Sequence, residues 1–246
     1  MLFAAHEEHC LADLLIIAAA LELQDPRDRP VDKQQMADQA HAQFVDHDSD
    51  FLSYLRMWDF YHDLKAKLSK TQLRKACKQN FLSDIRMHEW QDLHRQLMET
   101  VTQAGMKPGR RRYHAPAVDA EPNKQETSQS YAAIHRSLLT GLLSSIALRG
   151  DTNEYTAAGN QKVVLWPGSG VFQTKPKWIV AGELIETTRR YARTTAKIDP
   201  DWLEHLATHL VNRSYSEPHW DPRNGATMAF ERVTLFGLTI IPKRRI

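Results

Sequence analysis

The sequence predicts an α+β chain of two modules, helical over residues 1–150 and a small β-rich fold over 151–246. Three observations point there. Apolar residues recur at helical spacing almost continuously to residue 104. A polar stretch with three prolines and two glycines interrupts the pattern at 105–129. After Gly150 the period shortens to that of strands. The composition suits such a chain: 246 residues, 42% apolar and 25% charged, with a net charge of +2. That is enough apolar material for one large core or two smaller ones, and it excludes a wholly disordered chain.

The elements follow in order. Leu11, Leu14, Leu15, Ala18 and Leu21 mark the first helix, which Asp25-Pro26 and Arg29-Pro30 stop, because proline disfavours helical geometry in the residue before it. Asp32 with Gln35 three residues on resembles a capping box and opens a helix over 33–45. Phe51, Leu52, Leu55, Trp58 and Leu64 form the next stripe. A short helix is expected over 71–79, and a longer one from Ile85 to Thr102. The segment 105–129, with few large apolar residues, reads as a flexible loop. Helical pattern returns over 131–148 with Ile134, Leu138, Leu142 and Ile146 on one side.

Beyond Gly150, Val163–Trp166 is a short apolar run ending at Pro167-Gly168-Ser169-Gly170. Residues 178–187 and 189–198 read as consecutive strands. Pro200 opens a helix that runs to about Val211. Strand-like alternation, broken at Gly237, closes the chain over 230–241. Short strands with one helix in about 95 residues suit a small barrel, the five-stranded oligonucleotide-binding (OB) barrel among them.

Several chemistries are excluded or weakened. The chain contains no Gly-Lys pair and no Asp-Glu pair, so it lacks both a phosphate loop and an acidic magnesium box. No ATPase activity and no catalytic residue are expected of it alone. His6 and His9 are three apart, not the four that bring two histidines together on a helix face, and no third ligand is evident. His205 and His209 have the right spacing without a suitably placed carboxylate, so no metal is expected. Ser169 lacks the strand–turn–helix setting of a nucleophile elbow. The longest uninterrupted apolar run, Leu14–Leu21, has eight residues against about 20 for a membrane span. Two cysteines, no disulfide framework and no evident signal peptide lead us to expect a cytoplasmic chain without membrane contact; a monomer is expected as well.

Cations cluster at Lys107, Arg110, Arg111 and Arg112, at Arg189, Arg190, Arg193 and Lys197, and at Lys243–Arg245. Their shared sign favours a polyanion partner. In a strand, alternate residues share a face, so Arg189, Tyr191, Arg193, Thr195 and Lys197 would lie together, with Arg190, Ala192, Thr194, Ala196 and Ile198 opposite. Cations for phosphates and a ring for stacking are what single-stranded nucleic acid requires. Spacing alone does not separate this from an ordinary solvent-facing strand.

Five stretches carry a resemblance: LELQDPRDRPVDKQQ (21–35), SDFLSYLRMWDFY (49–61), NFLSDIRMHEWQDLHRQL (80–97), HRSLLTGLLSSIA (135–147), and LWPGSGVF with KPKWIVAGELIETTRRYARTTAKIDPDWL (165–203). Together they resemble the region that follows the two ATPase domains of DEAH-box RNA helicases, in particular the bacterial HrpA type, as does 215–237. The resemblance implies a helical helicase-associated, ratchet-like domain to about residue 150 and an OB barrel after it. It implies a role holding single-stranded RNA beside an ATPase core that carries ATP and Mg and is absent from this chain. The expected RNA-binding set is Ser169, Lys177, Arg189, Tyr191, Arg193 and Lys197. Where the family often has His-Pro-Ser-Ser, this chain has Trp166-Pro167-Gly168-Ser169. The alternative function is a protein-interaction module that regulates the core without touching RNA.

Overall fold

Helix α2, Leu11–Leu21, is apolar on nearly every side and is buried from Leu11 to Ala20 except at Ala12 and Ala18. A helix with no polar stripe belongs inside a core. In the computed structural model, which describes residues 1–113, 124–222 and 225–246, α2 lies within a first compact unit, Met1–Leu138; a second spans Leu139–Ile246. Around α2 pack α1 (Leu2–Glu7), α4 (Asp50–Lys67) and α6 (Asp84–Gln103). The indole of Trp90 on α6 donates to the Ile16 carbonyl at 2.8 Å, so the largest buried ring keeps its polar atom satisfied.

Serines start the longer helices. Ser49 accepts from Leu52 N at 3.3 Å, and Ser83 from Arg86 N at 3.4 Å, the usual answer to orphan amides of a first turn. The capping box is at Ser69–Gln72, opening α5 (Lys70–Gln79), and not at Asp32–Gln35. There, Val31–Lys33 is a 3-10 turn after Pro30, and α3 (Gln34–His41) starts without a side-chain cap.

The stretch after α6 departs from the sequence expectation. Met106 and Tyr113 are buried. Arg111 donates to the fully buried Asp13 through Nε at 2.9 Å and pairs with Asp59. Tyr113 accepts from Arg56 Nε at 2.9 Å. Residues 106–113 are therefore anchored by three side chains, which composition averaged over the stretch conceals. Residues 114–123, also within the expected loop, lie outside the described ones. Helix α7 begins at Lys124 and runs to Leu142.

Strand pattern begins earlier than expected. A 3-10 turn over Leu143–Ser145 leads into β1, Ile146–Arg149, so Ile146 belongs to a strand although its spacing continues the helix. Packing overrides period here: Ile146 and Ala147 are buried in the sheet. With β2 (Glu154–Ala157), β3 (Gln161–Leu165), β4 (Trp178–Glu186) and β5 (Arg190–Lys197), β1 closes a barrel in the order β1-β2-β3-β5-β4. All its pairings are antiparallel except β3 with β5. Tyr155, Val163, Leu165, Ile179, Ala181 and Ala192 are among the residues that fill its interior.

Helix α8, Pro200–Leu206, starts at Asp199, whose carboxylate accepts from Asp201 N at 3.0 Å. It ends well short of Val211. A three-stranded antiparallel sheet of β6 (Asn212–Asp221), β7 (Ala226–Leu235) and β8 (Leu238–Arg245) completes the unit. β7 and β8 meet at Phe236-Gly237, both at positive φ, the geometry a two-residue hairpin demands. Among the described residues, no helix is long and apolar enough to cross a membrane.

Candidate nucleic-acid interface

β5 is a strand with the interior expected of it, but not the uniform outer face. Ala192, Ala196 and Ile198 are buried. Tyr191 and Arg193 are half-buried and Lys197 is exposed. Arg189 precedes the strand, in an exposed turn where Thr187 N donates to its carbonyl at 2.9 Å. Thr195, expected beside the cations, is fully buried, and its hydroxyl lies 2.8 Å from that of Ser169. Thr194 between them has φ +51, rare for a β-branched residue. It falls between the ladder pairs Ala181↔Thr195 and Glu183↔Arg193. This local twist breaks the alternation, so both Thr195 and Ala196 are covered. The expected five-residue face is split, with Tyr191 and Arg193 on one side of the break and Lys197 on the other.

The group that joins Tyr191 and Arg193 is Trp166. The parallel ladder pairs Val164 with Tyr191 and Leu165 with Ala192, and Trp166 N extends it by donating to the Ala192 carbonyl at 3.0 Å. The residue that follows β3 is thus brought to the level of Arg193. The indole meets the Tyr191 ring edge-on, 5.4 Å between centroids at 85°. The Arg193 guanidinium lies 5.5 Å from its centroid, within the range of a cation–π contact. Trp166 is still 40% exposed, so part of its ring is open to a further partner. Arg193 also stands 3.7 Å from the Glu183 carboxylate, with both side chains solvated, a pair of little strength.

The turn that follows holds the indole in place. Ser169 N donates to the Trp166 carbonyl at 3.0 Å. A Cβ on Gly168 would sit 3.0 Å from the indole Nε1, tight enough that the ring would have to give by a few tenths of an ångström, so glycine eases the approach of ring and backbone. The Ser169 hydroxyl accepts from Val171 N at 3.2 Å besides contacting Thr195. It therefore fastens the loop to β5. Lys177 is exposed just before β4, its carbonyl accepting from Arg149 N at 2.8 Å. Among the described residues, no hydrogen bond, ion pair or ring contact joins Lys177 or Arg189 to the Trp166 group.

Sequence reasoning missed Trp166 as a site residue. The available signal was a large aromatic at the mouth of a Pro-Gly turn, where a core residue would have no neighbours. His209 lies beyond the end of α8, and His9 has φ +56 between α1 and α2. Among the described residues, no group of three or more His, Cys, Asp or Glu side chains could hold a metal ion.

Comparison with known proteins agrees with this architecture. Residues 134–210 match the family model of an oligonucleotide/oligosaccharide-binding (OB) fold. Residues 1–54 match that of the ratchet-like helicase associated domain (HA2). Over its whole length the chain is 41% identical to ATP-dependent RNA helicase HrpA of Escherichia coli, and 38% to the HrpA homolog of Haemophilus influenzae, spanning 18% of each. Over 85% of its length it is 26% identical to a pre-mRNA-splicing factor of Arabidopsis thaliana, the ATP-dependent RNA helicase DEAH10, of which it covers 28%. Over its whole length the chain is thus similar to a segment of the HrpA-type ATP-dependent RNA helicases, with a helical region that starts in a match to the ratchet-like model and a closed barrel that matches the OB model.

Proposed function

We propose that the barrel binds single-stranded RNA across the β3–β5 seam and serves as the RNA-holding accessory part of an ATP-dependent helicase in the cytoplasm. The observation that carries this is the exposed indole of Trp166, set edge-on to Tyr191 with Arg193 over it. A base stacks on the open part of the indole, and Arg193 meets an adjacent phosphate. Lys197, Lys177 and Arg189 add positive charge along the strand's path, while Ser169 positions the loop. ATP and Mg act in a core outside this segment, whose movement pulls RNA past the barrel. The relatives' names, ATP-dependent RNA helicases, support the reading.

A second reading has its own observation. The β6–β8 sheet exposes Tyr215 and Trp220. Four of its cations are already paired with acids, Arg213 and Arg244 with Glu204 and Glu231, Lys243 with Glu217, and Arg245 with Asp221, while Arg232 bonds the Thr239 hydroxyl. Aromatic surface with mostly neutralised charge suits a protein partner better than a phosphate backbone. An interaction module would therefore use this sheet.

Titration of labelled single-stranded RNA separates the two. Trp166→Ala should weaken binding by about 1–3 kcal/mol while leaving the salt dependence intact. Arg193→Gln should flatten the salt slope by about 0.7 for each phosphate released. Parent-like binding by both variants, each folded, would remove the barrel seam as the RNA site.

A further inference from the structure

We infer that the helical unit carries a second anion site, a phosphate-binding pocket between the α1–α2 corner and the segment that follows α6. A cavity of about 300 Å³ opens there, lined by His6, His9, Lys107, Arg110 and Arg112 together with Leu11. Among the described residues, every charged group lining it is basic.

Of the nearby acids, Glu7 is exposed on α1 and does not line the cavity, while Glu8 and Asp13 are committed elsewhere. Glu8 is held by Arg136 through two bonds of 2.7 Å. Asp13 accepts from Arg111 Nε and from the backbone amides of Arg112 and Tyr113. Arg111 alone of the basic run turns inward, to Asp13 and Asp59. It thereby neutralises the buried carboxylate and leaves its neighbours' charge at the surface. Among the described residues, neither Lys107 nor Arg110 has an acidic partner within ion-pair distance. Arg112 donates to the Glu8 carbonyl at 2.9 Å, which fixes its guanidinium without cancelling its charge.

Two left-handed residues shape the walls: His9 at φ +56 and Gly109 at φ +72. Side chains about 100 positions apart thus share one cavity. Among the described residues, no aromatic ring lines it beyond the two imidazoles, so they offer a nucleobase no broad stacking platform. Three fixed cations and two imidazoles instead match the charge and acceptor oxygens of a phosphate group. The cavity is at the lower limit of small-molecule sites in size, enough for a phosphate and its immediate attachment. The phosphate belongs either to a nucleic-acid strand or to a free nucleotide. The inference does not depend on the barrel, because every lining residue lies in the first unit.

The imidazole proton resonances of His6 and His9, assigned with single His→Gln variants, report occupancy of the pocket directly. Inorganic phosphate, ADP and a single-stranded RNA 12-mer are titrated in turn at constant ionic strength, with chloride as the control anion. Both resonances should move saturably with at least one phosphate-bearing probe and not with chloride. Response to RNA alone identifies a strand phosphate as the ligand; response to ADP or inorganic phosphate identifies a free one. The double variant Lys107→Ala/Arg110→Ala removes two exposed side chains and should weaken the response roughly tenfold or more, since a charge-assisted bond is lost with each. Far-UV circular dichroism checks that it folds, and Arg110→Gln serves if it does not. Unmoved resonances with all three probes, or an undiminished response in the folded variant, would overturn the inference.

Discussion

Replacing Arg111 by alanine tests the docking of residues 106–113 where the structure makes it most consequential. The guanidinium bridges Asp13, whose side chain is fully buried, and Asp59, which is one-third exposed. Removing one partner of a buried pair typically costs about 3–5 kcal/mol, because the remaining charge stays buried. Two donors to Asp13 survive, the amides of Arg112 and Tyr113 at 2.7 and 3.3 Å, so the lower end, about 3 kcal/mol, is expected. For a unit of this size that is a fall in melting temperature of roughly 6–12 °C. Urea unfolding followed by far-UV circular dichroism measures it, with Asp59→Ala as the solvated control, expected to cost about 1 kcal/mol or less. Replacing 106–113 with Gly/Ser should cost more than Arg111→Ala alone, since Met106 and Tyr113 are lost as well. An Arg111→Ala protein within about 0.5 kcal/mol of the parent would show that the segment does not dock and that Asp13 is not held by it.

Two further expectations concern burial. Ala196 is fully buried, so Ala196→Asp places a charge in the barrel and should cost several kcal/mol; harmless substitution there would mean that the strand register is wrong. His135 and His94 are pushed down to about 4, chiefly by burial. Between pH 6.5, the ordinary imidazole value, and 4 the unfolded chain binds protons that the folded one refuses. Stability from these groups is complete above about 6.5 and is lost as pH falls through that window. Urea midpoints at pH 7.5 and 5 should therefore differ in favour of the higher pH, and His94→Gln should lessen the difference; an equal fall in the variant would exclude His94 as a source.

The helices were legible because the first unit follows the 3.6-residue rule closely: α4, α5 and α6 begin within a residue or two of where periodicity and capping place them. The errors have separate causes. Ile146 continues a helical spacing yet pairs in a sheet, because register with β2 and β4 outweighs local period. β6 has no apolar alternation, being exposed over nearly all its length, and so leaves no signal at all. At the site, the sequence showed Tyr191 and Arg193 as neighbours on one strand face. It could not show Trp166 beside them, 25 positions away, since that neighbourhood is made by the parallel pairing of β3 with β5. Nor could it reveal the twist at Thr194 that hides Thr195.

That parallel pairing is also the shortest closure of the barrel, two residue pairs and the Trp166 amide bond against seven pairs between β4 and β5. A ring of strands gives way first where its joint is shortest. Trp166 and Arg193 stand on opposite sides of that joint, so a strand lying over both acts as a stitch. Ligand that favours the closed ring tightens it by mass action, and a barrel whose seam had parted would lose its grip on the ligand by the same measure.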